Sequence, residues 1–175
     1  ETPSRKKILI TSPETESSPE AAASAILKPL ARIAFRRPVN ESDLNRLLSA
    51  FRQGFEENGF ESGIELALSS ILVSPHFLFR VERPVRGPAA GDVVPLSDLE
   101  LASRLSFFLW SSLPDDELLS LAEQEMLGRE DVLEKQVRRM LKDARSRSLV
   151  TNFTSQWLYL RNLDSMTPNQ RRFPD

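Results

Sequence analysis

The sequence Leu96–Leu119, LSDLELASRLSFFLWSSLPDDELL, contains the signals for one complete helix, a stop and the start of a second helix. Ser97 and Glu100 have the S-x-x-E spacing of a capping box, in which side chains and backbone N–H groups satisfy each other at a helix start. This stretch predicts helix packing and contains no visible catalytic motif. The apolar side chains that recur at helical spacing are Leu101, Leu105, Phe107, Phe108, Leu109 and Trp110.

The second helix of this stretch begins at a run of acidic residues. Ser111–Ser112 interrupts the apolar pattern, and Pro114 suits a first helical turn. The acids Asp115–Glu117 suit the positive end of the helix dipole, and Gly128 suits the helix end. A metal cluster is the alternative interpretation, but Ca²⁺ takes about six to eight oxygens and no EF-hand spacing is present. We therefore interpret the acids as helix capping.

The rest of the chain predicts further amphipathic helices with local start and stop signals. Ser18 and Asn40 suit N-caps, and Asn58–Gly59 suits a helix end. Pro29 lies inside the first helix, and we expect it to kink that helix or break it into two pieces. Further helices are predicted from about Glu61 to Val73, from about Glu130 to Lys142, and after the capping residue Asp143.

Strand patterns are nearly absent. The apolar run Ile8–Ile10 is open between a short strand and an extended arm. We predict an all-α fold of about six to seven helices in a helical-hairpin or bundle arrangement, with a short extended N-terminal arm. The expected core of the first domain is formed by Leu44, Leu48, Phe51, Leu68, Ile71 and Leu72.

Residues 83–95 are the clearest linker, because Pro and Gly recur there and oppose regular structure. The predicted organisation is an N-terminal arm at 1–18, a first helical domain at 19–82, the linker at 83–95 and a second helical domain at 96–175. We expect the second domain to be incomplete at its C-terminal end, which would leave an apolar patch and favour self-association through the final helix.

Composition limits the functions that the chain can carry. A net charge of −2 and a pI near 5.6 argue against nucleic acid as the main partner. The absence of Cys excludes disulfides, thiolate metal sites and covalent haem attachment in this sequence, and a single His excludes a site with two His ligands. No apolar run approaches the ~20 residues of a membrane span.

Long blocks of the sequence resemble the paired domains of unknown function in large exported planctomycete proteins, which typically also carry a cytochrome c-like domain. The blocks are LARIAFRRPV at 30–39, GIELALSSILVSPHFLFRVE at 63–82, LSDLELASRLSFFLWSSLPDDEL at 96–118, NFTSQWLYLRNL at 152–163 and RRFPD at 171–175. The resemblance implies an all-helical module of a periplasmic or exported protein. Its implied partners are neighbouring domains, among them a cytochrome c-like domain, and any haem c would belong to the full-length protein elsewhere. It implies no assigned reaction.

The chain departs from these relatives near Thr11 and Ala22, where they often carry Cys. The resemblance therefore implies that a family disulfide between the arm and the first helix is missing here.

Three candidate site residues lie in the first domain. His76 is the only imidazole, and we interpret it as a helix-start residue whose ring packs on neighbours, with an axial haem ligand or a general base as the alternative. Arg36 and Arg37 are interpreted as cations at a helix C-terminus that pair with Asp43 or Glu41. The alternative for both arginines is a clamp for an anion or carboxylate.

Three further candidates lie in the second domain. Arg104 is expected to form a buried structural ion pair, either with Glu100 or with an acid across the core. Trp110 and Trp157 are expected in the core, because aromatic residues at helical spacing are more often core than ligand-binding surface. A carbohydrate-contacting or haem-contacting surface is the alternative interpretation of these aromatic residues.

The sequence therefore predicts a non-catalytic helical scaffold or interaction module of a larger exported, cytochrome-associated protein. No catalytic, cofactor-binding or metal-ligating residue is assigned in this chain. Two alternatives remain open. In the first alternative, the chain is part of an enzyme or redox site that other domains complete. In the second, it is a carbohydrate-binding module.

Overall fold

The computed structural model of the chain describes residues 5, 8–13, 16–80, 94–160, 162, 171 and 172. These residues form eight α-helices and contain no strand, so the all-α prediction is confirmed and the helix number is close to the expected one. A 3₁₀-helix (Ala144–Ser146) and a π-helix (Leu149–Thr154) lie between α7 and α8. The helices are α1 (Pro19–Phe35), α2 (Glu41–Asn58), α3 (Phe60–Leu72), α4 (Pro75–Leu78), α5 (Asp98–Trp110), α6 (Asp116–Glu123), α7 (Glu130–Lys142) and α8 (Ser155–Trp157).

Local capping fixes where these helices begin. The Asn40 side chain accepts a hydrogen bond from the Asp43 N–H at 2.8 Å, and the Asp43 carboxylate accepts from the Asn40 N–H in return. Ser97 and Glu100 form the same reciprocal box at α5. The Asp115 carboxylate caps α6 by accepting from the Leu118 N–H at 3.1 Å. The predicted capping roles of Asn40, Ser97 and Asp115 are confirmed.

Pro29 does not break α1, which is a single helix of 17 residues. Proline removes the N–H that would donate to the carbonyl of Ala25, four residues earlier. Pro29 and Ala25 are both exposed, so water can hydrate the carbonyl that the helix leaves without a partner.

The N-terminal arm and the end of α6 also differ from expectation. Arg5 and Ile8 are helical, and the Leu9 N–H donates to the Arg5 carbonyl at 2.8 Å. This turn lets Ile8 and Leu9 pack against the first core, which an extended run could not do with adjacent residues.

Helix α6 ends at Glu123 rather than near Gly128, whose N–H instead donates to the Asp98 carboxylate.

The last long helix expected after Asp143 is present as helical backbone throughout 144–157, but it changes from 3₁₀ to π and then to α type. Asp143 caps the 3₁₀-helix by accepting from the Arg145 N–H at 2.9 Å, and the π-helix and α8 follow. Most of the expected linker, 83–93, lies outside the described residues, as do Leu163 and Phe173 at the expected self-association surface.

Two separate hydrophobic cores divide the described helices into two groups. The first helical group, α1–α4, is built around Ile26, Leu27 and Phe51, each at most 1 % exposed. The second helical group, α5–α8, is built around a core in α5–α7 and the following loops, with Leu118 and Leu127 fully buried. The expected core residues Phe51 and Ile71 are buried, and Leu44, Leu48 and Leu68 are half-buried. Leu72 was wrongly placed in the core, because it lies on the outer face of α3 and is 54 % exposed.

Helices α2 and α3 approach each other closely through two glycines. A Cβ atom at Gly54 would lie 2.6 Å from the backbone carbonyl oxygen of Ser62, and one at Gly63 would lie 2.6 Å from the Phe51 ring. Phe51 in turn makes an edge-to-face contact with Phe60, with ring centroids 5.5 Å apart. The absence of a side chain at both positions therefore sets the spacing of the α2–α3 hairpin.

Gly54→Ala should destabilise the chain although alanine is the better helix former by about 1 kcal/mol. The added methyl group meets the backbone of α3 rather than a movable side chain, and overpacking of this kind costs about 1–3 kcal/mol. Chemical denaturation measures the change in the free energy of unfolding. Gln53→Ala, at the neighbouring exposed position, is the control and should stay within about 0.5 kcal/mol of the parent. A Gly54→Ala protein as stable as this control would contradict the close contact.

Candidate functional site

Arg32 of α1 joins the two helical groups through a set of polar contacts. Its Nε and Nη2 atoms donate to the two carboxylate oxygens of Glu123 at 2.8 and 2.9 Å. Nη2 also donates to the Ser120 hydroxyl at 3.0 Å, and Nη1 donates to Asp116. The Arg32 and Glu123 side chains are 22 % and 23 % exposed, so this paired-fork contact is largely shielded from water. The hydrogen bonds from Glu123 and Asp116 raise the pKa of Arg32 despite the opposing effect of burial.

Arg36 lies directly after α1 and is buried, with 8 % of its surface exposed. It ends the helix in a left-handed conformation, φ 56° and ψ 33°. Its Nη1 donates to the carbonyls of Ala34 (3.1 Å) and Phe77 (3.4 Å), and its Nη2 donates to those of His76 (2.7 Å) and Phe79 (2.9 Å). This one guanidinium therefore fastens α4 and the residue after it to the C-terminal end of α1.

Arg36 also contacts the second helical group. Its guanidinium carbon lies 5.8 Å from the centroid of the Phe107 ring in α5, within the range of a cation–π contact. Burial, followed by the nearby positive charge of Arg80, lowers the pKa of Arg36. The same side chain thus holds one group together and touches the other.

Arg37 forms the predicted pair with Asp43. Its Nη1 and Nη2 donate to the two Asp43 oxygens at 2.6 and 3.1 Å, while the Asp43 side chain is only 2 % exposed. The Arg37 hydrogen bond, with help from the Asn40 N–H, holds the pKa of Asp43 below its usual value, although burial acts in the opposite direction. Arg46 adds a second, exposed cation at 3.3 Å.

A cavity of about 550 Å³ opens where the two helical groups meet, and we call it the junction cavity. The first group contributes Phe35, Arg36, Arg37, His76, Phe79 and Arg80 to its lining. The second helical group and the residues just before it contribute Pro95, Leu96, Ser97, Leu99, Glu100 and Ser103. Three of the candidate site residues, Arg36, Arg37 and His76, are therefore brought together. The cavity is largely apolar and has more cationic than anionic side chains in its lining.

His76 and Arg104 occupy different environments. His76 is at the second position of α4, is exposed, and packs its ring on Phe35 with centroids 5.6 Å apart. Arg104 lies on the exposed face of α5, so the burial expected for its ion pair was wrong. Leu105, the next residue, is half-buried, and Phe108, one helical turn later, is 50 % exposed.

Trp110 belongs to the second core. It is 3 % exposed, and its Nε1–H donates to the Met140 carbonyl at 2.9 Å. The Arg145 guanidinium carbon lies 3.5 Å from its ring centroid, and Arg139 binds both Asp115 oxygens at 2.7 and 3.0 Å. Burial would raise the pKa of Asp115, but the hydrogen bonds from Arg139 and Leu118 outweigh it and lower that pKa. Trp110 therefore joins α5 to the end of α7, next to the ion pair between Arg139 and Asp115.

Trp157 is 70 % exposed, so its expected place in the core was wrong. Its ring is stacked on Phe153, with centroids 5.9 Å apart and planes 24° from parallel. Phe153 in turn makes an edge contact with Phe108 at 5.2 Å. The helical spacing failed as a guide here because the π-helix changes which side chains share a face.

Two residues of the junction were missed by sequence reasoning, Arg32 and Ser103. Arg32 resembled an ordinary cation in the last turn of a helix, and its partners lie 84 to 91 residues away along the chain. Ser103 sits in the middle of α5, where no local signal distinguishes it. Only the packing of one helical group against the other reveals either role.

Among the described residues, no cluster of three or more His, Cys, Asp or Glu side chains is arranged to hold a metal ion. In the same part of the chain, no helix has the length and apolar character needed to cross a membrane.

Asp43→Asn should make stability less sensitive to acid. Because the folded-state pKa of Asp43 is lowered, its stabilising effect is complete above the ordinary value of about 3.9 and is lost as the pH falls through the lower folded value. The substitution should cost about 1.5–3 kcal/mol at pH 7 and reduce the further loss between pH 5 and pH 2.

Denaturant titrations across this pH range measure both effects. Ser42→Ala, at the exposed neighbouring position, keeps the carboxylate and should keep the acid sensitivity of the parent chain. Equal loss of stability on acidification in the Asp43→Asn and parent proteins would show that the Arg37–Asp43 pair is energetically unimportant.

Comparison with protein families finds one family match in each helical group. Residues 22–82 match the family described as PSD5: Protein of unknown function (DUF1595), and residues 96–175 match PSD4: Protein of unknown function (DUF1592). No curated protein and no solved structure matches the chain. The matches agree with the resemblance to paired domains of unknown function. The chain therefore matches two families of domains of unknown function in tandem, DUF1595 followed by DUF1592.

Proposed function

We propose that the chain is a helical scaffold that holds its two domains in a fixed relative position within a larger exported, cytochrome-associated protein. In this role it presents its surfaces to neighbouring domains, one of them cytochrome c-like, and carries out no reaction of its own. The resemblance to exported planctomycete proteins is the basis for the setting. Because the sequence has no Cys, a covalently attached haem c would be held by another part of such a protein.

The observation that carries the proposal is the set of Arg32 contacts across the domain junction. Arg32 comes from the DUF1595 domain and Glu123, Ser120 and Asp116 from the DUF1592 domain. A guanidinium that engages a carboxylate through two parallel hydrogen bonds fixes direction as well as distance. The Arg36–Phe107 contact adds a second connection between the same domains. Two connections restrict rotation of one domain against the other, which is what a scaffold requires.

Distance measurements between spin labels test whether the domains are held rigidly. The sequence lacks Cys, so Gln53→Cys in α2 and Lys135→Cys in α7 provide exposed, unique label sites, one on each domain. We expect a single narrow distance distribution. Arg32→Met should broaden it, because the directional contact with Glu123 is removed while the aliphatic stem is kept.

The matched control is Arg52→Met. Arg52 makes a similar two-pronged contact with Glu20, but both residues lie in the first domain and are about half exposed. Its loss should leave the distribution narrow, since surface pairs contribute little. A broad distribution in the parent chain would contradict the proposed scaffold, as would turnover on a hydrolase panel that is abolished by His76→Ala.

A second candidate function is carbohydrate binding at the exposed aromatic cluster of Trp157, Phe153 and Phe108. The observation that favours it is the 70 % exposure of an indole that is already held in place by stacking on Phe153. Sugar rings pack on exposed aromatic faces of this kind, because each ring offers a large apolar surface.

Titration with cellohexaose and chitohexaose, followed by tryptophan fluorescence, tests this candidate. If the cluster binds sugar, emission should change in a saturable way, and Trp157→Ala should abolish binding. Phe79→Ala removes an exposed aromatic ring outside the cluster and should leave binding intact. No saturable change with either oligosaccharide would remove carbohydrate binding at this cluster as a function.

A further inference from the structure

The junction cavity contains a buried cation, Arg36, that no carboxylate of the described residues neutralises. Arg36 is 8 % exposed, and all four of its terminal N–H groups donate to backbone carbonyls. Within the described part of the chain, Arg36 forms no ion pair. Arg80 lines the same cavity and adds like charge, which is one of the two causes that lower the pKa of Arg36. A buried charge is costly unless it is paired, so this cavity favours an anion.

The opposite wall of the cavity holds a buried hydroxyl group with no hydrogen-bond partner. Ser103 in α5 is 4 % exposed, and its Oγ atom is the one buried side-chain polar atom without a partner among the described residues. Some helical serines of this chain donate to a carbonyl in the preceding turn, as Ser70 does to Leu66 at 3.1 Å and as the other buried serine of α5, Ser106, does to Ser103 at 3.1 Å. Ser103 lies one helical turn before Phe107, whose ring contacts Arg36. Ser103 and Arg36 are therefore both part of the cavity lining.

The remaining lining restricts the chemistry of a ligand. Phe35, Phe79, Leu96 and Leu99 offer apolar walls, and the volume of about 550 Å³ lies within the range of small-molecule pockets. The Nη atoms of Arg36 already donate to four backbone carbonyls, so in the described part of the structure only its Nε–H is left to donate to a ligand. A phosphate group requires several strong donors, and this site therefore suits it poorly. Glu100 also lines the cavity, with its carboxylate engaged by the Ser97 N–H and hydroxyl, and its negative charge opposes a dianion.

We propose that the junction cavity binds a small organic monocarboxylate. Its apolar body packs against Phe35, Phe79, Leu96 and Leu99, its carboxylate faces Arg36 and Arg80, and a ligand oxygen accepts a hydrogen bond from Ser103 Oγ. Such a ligand contacts both domains at once, so its occupancy strengthens the junction that Arg32 already makes. This ligand site goes beyond the scaffold role and does not depend on it.

Phenylacetate and octanoate are the probes, with phenylacetamide as the uncharged analogue and inorganic phosphate as the small inorganic anion. Titrations of the ¹⁵N-labelled chain, followed by amide chemical shifts, measure affinity and location together. At least one of the two carboxylates should shift amides of α4 and α5 in a saturable way. Phenylacetamide and phosphate should bind at least about tenfold more weakly, because each lacks either the charge or the apolar body.

Ser103→Ala and Ser106→Ala form the matched pair of variants. Both serines are buried on α5, but only Ser103 lines the cavity and lacks a partner. Ser103→Ala should weaken carboxylate binding about three- to tenfold, the effect of one lost hydrogen bond. Without ligand, it should leave the denaturation midpoint unchanged or raise it, because the removed hydroxyl made no bond. Ser106→Ala should keep the parent affinity.

Arg80→Gln removes one positive charge from the cavity and should also weaken carboxylate binding. Three results would overturn the proposal: no saturable binding of either carboxylate, equal binding of phenylacetate and phenylacetamide, or equal effects of Ser103→Ala and Ser106→Ala on affinity. Binding of phosphate as tight as that of the carboxylates would likewise exclude an organic monocarboxylate as the ligand class.

Discussion

The burial of the Arg36 guanidinium is the constraint on which the arrangement of the junction depends. An arginine removed from water has to recover hydrogen bonds, and Arg36 recovers them from four carbonyls on two segments of the chain. Three of those carbonyls belong to His76, Phe77 and Phe79, in or just after the short helix α4. A four-residue helix is not stable alone. Its position therefore follows from Arg36, as does the place of His76 at the edge of the junction cavity.

The two helical groups contribute side chains of opposite charge to their junction. The first helical group contributes the cations Arg32 and Arg36, and the second helical group contributes Asp116 and Glu123. The acids neutralise Arg32, whereas among the described residues Arg36 contacts backbone carbonyls and the face of the Phe107 ring and no carboxylate. Opposite charges on the two sides guide the domains into one orientation. The buried guanidinium of Arg36 lies in the lining of the cavity.

Sequence patterns predicted the helices well because helix starts are local. Asn40, Ser97 and Asp115 cap their helices through contacts within three residues, which spacing alone reveals. Outward faces were harder to predict. Leu72 and Trp157 follow apolar spacing but are exposed, the first because α3 turns that face away from the core and the second because a π-helix changes the spacing. The roles of Arg32 and Ser103 were beyond prediction, because each depends on segments distant in sequence.

The two buried serines of α5, Ser103 and Ser106, differ in whether their hydroxyl groups form a hydrogen bond. Ser106 satisfies its hydroxyl within its own helix, as a stable fold demands of a buried polar group. Ser103, one turn earlier, does not, although alanine would fill the same place without an unsatisfied hydroxyl. Such an exception calls for a cause outside the packing of the helix. The ligand that we propose for the adjacent cavity would supply one, since Ser103 and Arg36 line that cavity from the two helical groups.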